Sequence, residues 1–271
     1  NTVSAYDAAL ILQYVVGLID EFPADSMGSP SAIEPRDYEL SLPKVEAPAG
    51  EKIQVPIGIN DATGLLAGGV TIKYDQTVLR AIGYGSLELL NGYYWKANTD
   101  LPGEVRFAFA TTFPLTPALS QKEREKKVGG KMLMVEFEVL PNAEGETSPL
   151  ILENVDLSNS RSVTKIDGEV RVIPTTFALL QNFPNPFNPD TWLPYKLASD
   201  SSVSISIYNA KGQLIRTLHL GYQNAGVYAT RGKAAYWDGK DNLGEKVSSG
   251  VYFYTLRTGE FISTRKMVIV K

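Results

Sequence analysis

Most of the chain after residue 36 alternates apolar and polar residues over short stretches, and turn residues separate these stretches. A period of two bounded by Gly, Pro, Asn and Asp is typical of β-strands with one buried face. Strands that follow one another without long intervening helices predict antiparallel sandwiches. The strands predicted in this way are 38–42, 52–59, 67–74, 105–110, 131–139, 202–208, 213–218, 250–257 and 263–270.

The beginning of the chain has a different spacing, and two other stretches divide the remainder. Apolar residues recur at helical intervals between residues 4 and 19. Residues 20–35 are rich in proline, serine and acids, which is typical of a linker, and residues 174–189 contain four prolines, which cannot donate to a sheet ladder. We therefore predict a mainly β chain: one short helix over 1–20, a linker over 21–35, an antiparallel β-sandwich over 36–173 and a second sandwich over 174–271.

Composition excludes several classes of function. The 271 residues carry a net charge of −4, a single histidine and no cysteine. The negative charge gives no electrostatic case for nucleic acid, and the lack of cysteine excludes disulfides, thiolate metal sites and cysteine nucleophiles. His219 lies in an alternating stretch and no Gly-x-Ser-x-Gly motif accompanies it, so we predict a strand residue without a catalytic role.

Three further segments have a functional and a structural interpretation. Tyr93, Tyr94 and Trp95 are suited to a sugar-stacking platform, or to ordinary core and rim positions, which we favour. Residues 238–244 are compatible with a calcium loop, or with a turn whose Asp and Asn side chains bind their own backbone, which we favour. The charged run 121–127 is predicted to be a solvated loop or a short exposed helix.

Residues 1–17 resemble the second half of a dockerin calcium loop and the helix that follows it. In loops of this kind, oxygen ligands alternate along the loop and the last is a bidentate acid. The resemblance implies Asp7 as that last ligand, with Ser4 and Thr2 as the two ligands before it. The first half of the loop is absent, which implies a dockerin-bearing parent and weak or absent calcium binding in this fragment. The resemblance also implies partner contacts from the end of the loop and the exposed helix face, at Ala5, Tyr6, Leu12 and Gln13.

Residues 36–173 resemble a cohesin, the module that receives dockerins. The most specific element is a strand followed by a turn acid, Asp75, and then by apolar residues that return to the core, Val78 and Leu79. The resemblance implies a jelly-roll sandwich that binds a dockerin through one sheet face, which the sequence does not locate. The segments that carry the resemblance are 47–59, 65–79, 105–110, 129–139 and 148–155.

Residues 174–271 resemble the C-terminal sorting domain of proteins exported by the type IX system. They are also similar to the immunoglobulin-like domain of the flagellar hook-capping protein. The strongest motif is Leu-Gln-Asn-Phe-Pro-Asn-Pro-Phe-Asn-Pro at 180–189. The resemblance implies an immunoglobulin-like sandwich that a secretion machinery recognises. It is carried further by 203–218, 236–244, 249–254 and 266–271.

Together these resemblances imply a non-catalytic bacterial protein, secreted or at the cell surface, that mediates cohesin–dockerin recognition. The expected partners are dockerin- or cohesin-bearing proteins, and because both halves of the pair are present, self-docking within or between copies is a further hypothesis. Two alternatives stay open. One is a carbohydrate-binding accessory module of a polysaccharide-degrading enzyme, and the other is a purely structural surface or adhesion protein.

Overall fold

The computed structural model describes residues 35–91, 93–111, 129–158, 160–259 and 261–270. These residues form two compact units. The first comprises the described residues up to Ala143 together with Thr147–Arg171, and the second comprises Glu144–Glu146 and the described residues from Val172 onwards.

The first unit contains a five-stranded sheet in the order β10-β1-β3-β8-β5 and a six-stranded sheet in the order β2-β11-β9-β4-β7-β6. A single turn of 3-10 helix, Glu88–Leu90, follows β5. The strands are β1 (Arg36–Ser41), β2 (Lys44–Pro48), β3 (Lys52–Ile59), β4 (Ala67–Tyr74), β5 (Leu79–Ser86), β6 (Tyr94–Asn98), β7 (Glu104–Ala110), β8 (Gly130–Val139), β9 (Thr147–Leu157), β10 (Ser160–Ile166) and β11 (Gly168–Ile173).

The two sheets of the first unit enclose its core between them. Alternate residues of β7, Val105, Phe107 and Phe109, point inward and are buried, and Ala108 and Ala110 on the other side of the strand are buried as well. Rings from the two sheets meet in this core: Tyr74 of β4 contacts Phe137 of β8 edge to face, with 5.0 Å between the ring centroids. The prediction of a sandwich is therefore confirmed for this unit.

The second unit contains three small sheets. Their strand orders are β12-β14-β17, β13-β18 and β16-β15-β19-β20. Their inner faces share one apolar core, in which Trp237, Tyr195 and Tyr254 are the largest buried side chains. The strands are β12 (Ala178–Leu179), β13 (Thr191–Leu193), β14 (Tyr195–Leu197), β15 (Ser201–Asn209), β16 (Leu214–Gln223), β17 (Gly226–Tyr228), β18 (Ala235–Trp237), β19 (Gly250–Thr258) and β20 (Phe261–Ile269).

The proline-rich motif at 180–189 is attached to the core of the second unit by two buried side chains. The hydroxyl of Tyr254 donates to the carbonyl oxygen of Leu180 at 2.7 Å and accepts from the backbone N–H of Asn182 at 2.9 Å. The amide of Asn182 donates to the Oγ1 of Thr191 at 3.0 Å and to the carbonyl oxygen of Pro184 at 3.1 Å. A segment that cannot form a regular ladder therefore satisfies its backbone through side chains.

Among the described residues, the structure departs from antiparallel pairing in both units. β1 and β10 pair in parallel, with Tyr38 opposite Val163, and an isolated parallel bridge joins Phe187 to Ile269. Tyr38 on β1 faces the core, whereas every residue of β10 except Val163 is exposed, which explains why alternation did not reveal β10. The predicted N-terminal helix, the linker and the charged run 121–127 lie outside the described residues.

Candidate functional site

The outer face of the six-stranded sheet carries unusually small side chains at its centre. On β4 the residue Gly68 faces inward, because a Cβ atom there would lie 2.5 Å from the ring of Phe109. Its neighbours Ala67 and Gly69 therefore face outward, as do Ala108 and Ala110 on β7, which alternate with the core phenylalanines. We call these four residues, Ala67, Gly69, Ala108 and Ala110, the small-residue floor; all four are buried, with 1% exposure for Ala67 and 6% for Ala108 and for Ala110.

Strand register places larger side chains on both sides of this floor. On β6, Tyr94 is 77% exposed and Lys96 is also exposed, and both stand beside β7. On the other side, the exposed Asp156 of β9 lies opposite Gly69. The cross-strand rows, from β6 through β7 and β4 to β9, are Tyr94–Ala110–Ala67, Lys96–Ala108–Gly69–Asp156 and Asn98–Arg106–Thr71–Glu153.

A β-bulge in β9 completes the acidic side of this face. Residues three positions apart on a regular strand point to opposite faces. Here the register with β4 shifts between Gly69 and Thr71, and Asn154 adopts a positive φ of 44°. The extra residue of the bulge restores the alternation of side chains relative to β4, so that both Glu153 and Asp156 lie opposite outward-facing residues of β4.

Ion pairs occupy the end of the face away from the floor. The Nζ of Lys73 lies 2.8 Å from the Oε2 of Glu153, and the Nη2 of Arg106 lies 2.5 Å from the Oε1 of Glu104. The hydrogen bond from Lys73 to the Glu153 carboxylate raises the pKa of Lys73. This end is charged and internally satisfied, whereas Lys96 and Asp156 beside the floor are in none of the ion pairs among the described residues.

The aromatic segment at 93–95 does not form a platform. Tyr93 is buried, and its hydroxyl donates to the carbonyl oxygen of Leu65 at 2.6 Å. Trp95 is half-buried and meets Tyr84 edge to face, with 6.0 Å between the ring centroids. Only Tyr94 presents its ring to solvent, so the interpretation of these residues as core and rim aromatics is confirmed.

The turn at 238–244 binds its own backbone, as predicted. The Oδ1 of Asp241 accepts from the N–H groups of Leu243 and Glu245, both at 2.9 Å, and the Oδ1 of Asp238 accepts from the N–H of Lys240 at 3.2 Å. Within the described residues there is no group of three or more His, Cys, Asp or Glu residues placed to hold a metal ion.

The other predicted site residues have different outcomes. His219 is an exposed residue of β16 opposite Ser204, as predicted for a strand position. The implied calcium ligands Thr2, Ser4 and Asp7 lie outside the described residues, so calcium binding stays a prediction. The implied partner contacts Ala5, Tyr6, Leu12 and Gln13 lie outside them as well. Among the residues that the structure does describe, no helix has the length and apolar character needed to cross a membrane.

The sequence did not identify the small-residue floor, although part of its signal was visible. The alternation of Phe107 and Phe109 with Ala108 and Ala110 shows that the outer side of this strand is small. It does not show that β4 is the neighbour of β7 or that Gly69 lies opposite Ala108. That juxtaposition depends on tertiary register.

Comparison with known proteins identifies both units. Residues 38–172 match the family model of the cohesin domain, and residues 191–259 match that of the FlgD Ig-like domain. The first unit is thus a cohesin jelly roll and the second is immunoglobulin-like, which confirms the predicted fold class. No evidence was found for a dockerin repeat or for a type IX sorting domain. A comparison with curated proteins gave no match.

Solved cohesin structures also align with the chain. The solution structure of CaCohA2 from Clostridium acetobutylicum has 18% identity, covers 51% of this chain and 92% of its own, and has a TM-score of 0.43. A non-cellulosomal cohesin from the archaeon Archaeoglobus fulgidus has 19% identity, the same two coverages and a TM-score of 0.42. The seventh ScaB type I cohesin from Pseudobacteroides cellulosolvens has 17% identity, coverages of 51% and 94%, and a TM-score of 0.41.

Proposed function

We propose that this chain, which combines a cohesin domain with a FlgD Ig-like domain, is a non-catalytic scaffold protein that binds dockerin-type modules through the exposed residues around the small-residue floor. The observation that carries the proposal is the family match over residues 38–172, since the cohesin domain is a docking module of cellulosome-like systems. The six-stranded sheet supplies a face with the shape that such docking needs.

The dimensions of this face suit a helix. Lys96 and Asp156 stand at the ends of one row, three strand spacings apart, which is about 14 Å at the usual interstrand distance. A helix with its side chains is ~10–12 Å wide. Between the two flanks lie Gly69 and Ala108, which are already buried in the chain, so the contacts that a partner reaches first are the exposed Tyr94, Lys96 and Asp156. The exposed Tyr94 is the kind of amphipathic anchor that is enriched in protein interfaces.

The proposal extends to the location of the protein and to its N-terminal segment. We propose a secreted or cell-surface location in a bacterium, with the C-terminal unit engaging secretion machinery as a type IX sorting domain does. The supports are the resemblance of 180–189 to that family and the extracellular setting of cohesins. We also propose that residues 1–20 are a dockerin remnant whose calcium loop is incomplete, and that it can dock on the cohesin face of its own or another copy.

Binding to a panel of immobilised, calcium-loaded dockerins tests the main proposal. The wild-type chain is expected to bind at least one dockerin, and chelation of calcium is expected to release it. Tyr94→Ala removes the exposed ring beside the floor, and loss of an interface contact worth about 2 kcal/mol weakens binding roughly 30-fold. Tyr222→Ala is the matched control, because Tyr222 is 68% exposed but lies on β16 of the second unit.

Two results would contradict the proposal. One is failure to bind any dockerin of the panel, and the other is equal binding by Tyr94→Ala and the wild type. Intact producing cells should also capture a labelled dockerin at their surface. Capture only after lysis would refute the surface location while leaving the docking activity in place.

A further inference from the structure

The second unit carries a row of three aromatic residues on the outer face of its smallest sheet, of which Tyr236 is exposed and Phe183 and Trp192 are half-buried. Trp192 of β13 lies opposite Tyr236 of β18, and Phe183 forms a β-bridge with Trp192 from the other side. The strand neighbours of the row, such as Leu193 and Trp237, are buried at 0% and 1% exposure. Because side chains alternate along a strand, the three rings face outward together. We call Phe183, Trp192 and Tyr236 the aromatic row.

The rings form a continuous surface. The centroids of Phe183 and Trp192 are 6.0 Å apart with the ring planes 16° from parallel, and those of Trp192 and Tyr236 are 5.6 Å apart. None of the three belongs to the apolar core of the unit or to the partly buried residues packed against it. Tyr236 is 50% exposed. Packing of the core therefore does not explain why three large apolar side chains occupy these positions.

Positively and negatively charged side chains lie beside the aromatic row. The guanidinium of Arg231 lies over the ring of Trp192, 4.5 Å from its centroid, and in the described part of the chain it makes no ion pair within 4.0 Å. The carboxylates of Asp190 and Asp238 lie near the hydroxyl of Tyr236, and partial burial together with these two acids raises its pKa. The row thus has the N–H donors of Arg231 at Trp192 and carboxylates at Tyr236, of which Asp238 also pairs with the Nζ of Lys240 at 3.5 Å.

Cross-strand contact between aromatic rings stabilises sheets, and it accounts for the pairing of neighbours in the row. It does not account for a row of one exposed and two half-buried rings that is flanked by a guanidinium and two carboxylates. Aromatic surface that stays in contact with water and has polar groups around it is typical of a ligand site.

We propose that the aromatic row binds a neutral polysaccharide chain. The C–H faces of pyranose rings pack on aromatic faces, so sugars can lie on Phe183 and on Tyr236, with the guanidinium of Arg231 held on Trp192 between them. Sugar hydroxyls both donate and accept hydrogen bonds, so they match a site that offers the N–H groups of Arg231 and the carboxylates of Asp190 and Asp238. This binding activity is separate from dockerin recognition and does not rest on it.

Other ligands fit the same groups less well. A proline-rich peptide also packs on aromatic rings, but proline has no backbone N–H, so such a peptide offers few donors to the carboxylates. An acidic polymer would satisfy Arg231 but would meet Asp190 and Asp238 with like charge. A neutral, hydroxyl-rich chain satisfies both sides.

Retention of the full-length chain by polysaccharides tests the proposal. The probes are insoluble cellulose in a pull-down, and soluble xylan and glucomannan in affinity electrophoresis. We expect retention by at least one of them, and at least a tenfold weaker retention for Trp192→Ala and for Tyr236→Ala. Trp192→Phe keeps a ring at that position and is expected to retain most of the binding, which separates loss of stacking from misfolding.

The matched control is Tyr222→Ala, because Tyr222 is 68% exposed in the same unit but lies on β16, away from the row. This variant is expected to bind as the wild type does. The proposal is overturned if none of the three polysaccharides retains the wild type. It is equally overturned if Tyr222→Ala loses as much binding as Trp192→Ala, or if an immobilised polyproline peptide captures the chain while the polysaccharides do not.

Discussion

Replacing Tyr254 with phenylalanine removes a single oxygen atom that joins the start of the second unit to its core. The side chain of Tyr254 is fully buried. Its hydroxyl makes two hydrogen bonds, one to the carbonyl oxygen of Leu180 and one from the N–H of Asn182, at 2.7 and 2.9 Å. Phenylalanine fills the same space, so the change tests these hydrogen bonds with little change in packing.

The expected loss of stability follows from the two backbone groups that lose their hydrogen-bond partner. Asn182 is only 3% exposed, so water does not readily replace the lost partner of its N–H. An unsatisfied buried donor costs about 1–3 kcal/mol, and the lost hydrogen bond to Leu180 contributes about 1 kcal/mol. We therefore expect Tyr254→Phe to lower the free energy of unfolding of the second unit by about 2–4 kcal/mol. For a unit of about 100 residues, this corresponds to a fall in Tm of roughly 10–20 °C.

The control is Tyr252→Phe, two residues earlier on the same strand and on the same face. The hydroxyl of Tyr252 donates to the carbonyl oxygen of Ser248 at 3.0 Å, and Ser248 is exposed. Water can take over this acceptor, so the same deletion of one oxygen should cost less than about 1 kcal/mol. Denaturant unfolding of the full chain, followed by tryptophan fluorescence and circular dichroism, measures both variants. Equal costs for the two variants, or a cost below about 0.5 kcal/mol for Tyr254→Phe, would refute the reasoning.

Two further predictions concern packing and pH. Gly68→Ala in β4 would place a Cβ 2.5 Å from the ring of Phe109 and 2.6 Å from the Leu157 side chain, so we expect a loss of about 1–3 kcal/mol in the first unit by calorimetry. A Cβ at Gly130 meets nothing within 4 Å, so Gly130→Ala should be nearly neutral, and similar losses for both variants would contradict the packing argument. Burial raises the pKa of Tyr254 to about 12, above its unfolded value near 10, so the unfolded state loses its proton first as the pH rises. The second unit should keep this stability below pH ~10 and lose it between about pH 10 and 12. Over that range, the urea midpoint of Tyr254→Phe should fall less steeply with pH than that of the wild type. An equal slope for the two proteins would contradict the conclusion that Tyr254 causes the pH dependence.

The pattern along the chain predicted the elements whose two faces differ in burial. β3 and β4 have the predicted bounds, because each alternates between a core side and an outer side or is largely buried. Two strands that do show this contrast, β9 and β11, were not predicted, and other strands were missed because the contrast is missing. β10 is exposed on both sides apart from Val163, and β13 and β18 have only three residues each, too few for a period to be recognised.

The sequence predicted less about the candidate sites than about the fold. Alternation shows that Ala108 and Ala110 lie on one side of a strand, but not which strand adds Gly69 beside them. It also left Tyr94 and Trp95 equivalent, whereas the sheet exposes the first and packs the second against Tyr84. A strand's own sequence specifies its two faces, and its neighbours decide what each face meets.

The sequence by itself determined a nearly all-β chain of two sandwiches without cysteine chemistry, because local alternation and composition are properties of the chain. Only the tertiary structure decided which residues act together. The rings of Phe183, Trp192 and Tyr236 come from three separate segments, and Lys96 and Asp156 come from strands 60 residues apart. Register between distant strands places them side by side, and register is a property of the packed sheets rather than of any one segment.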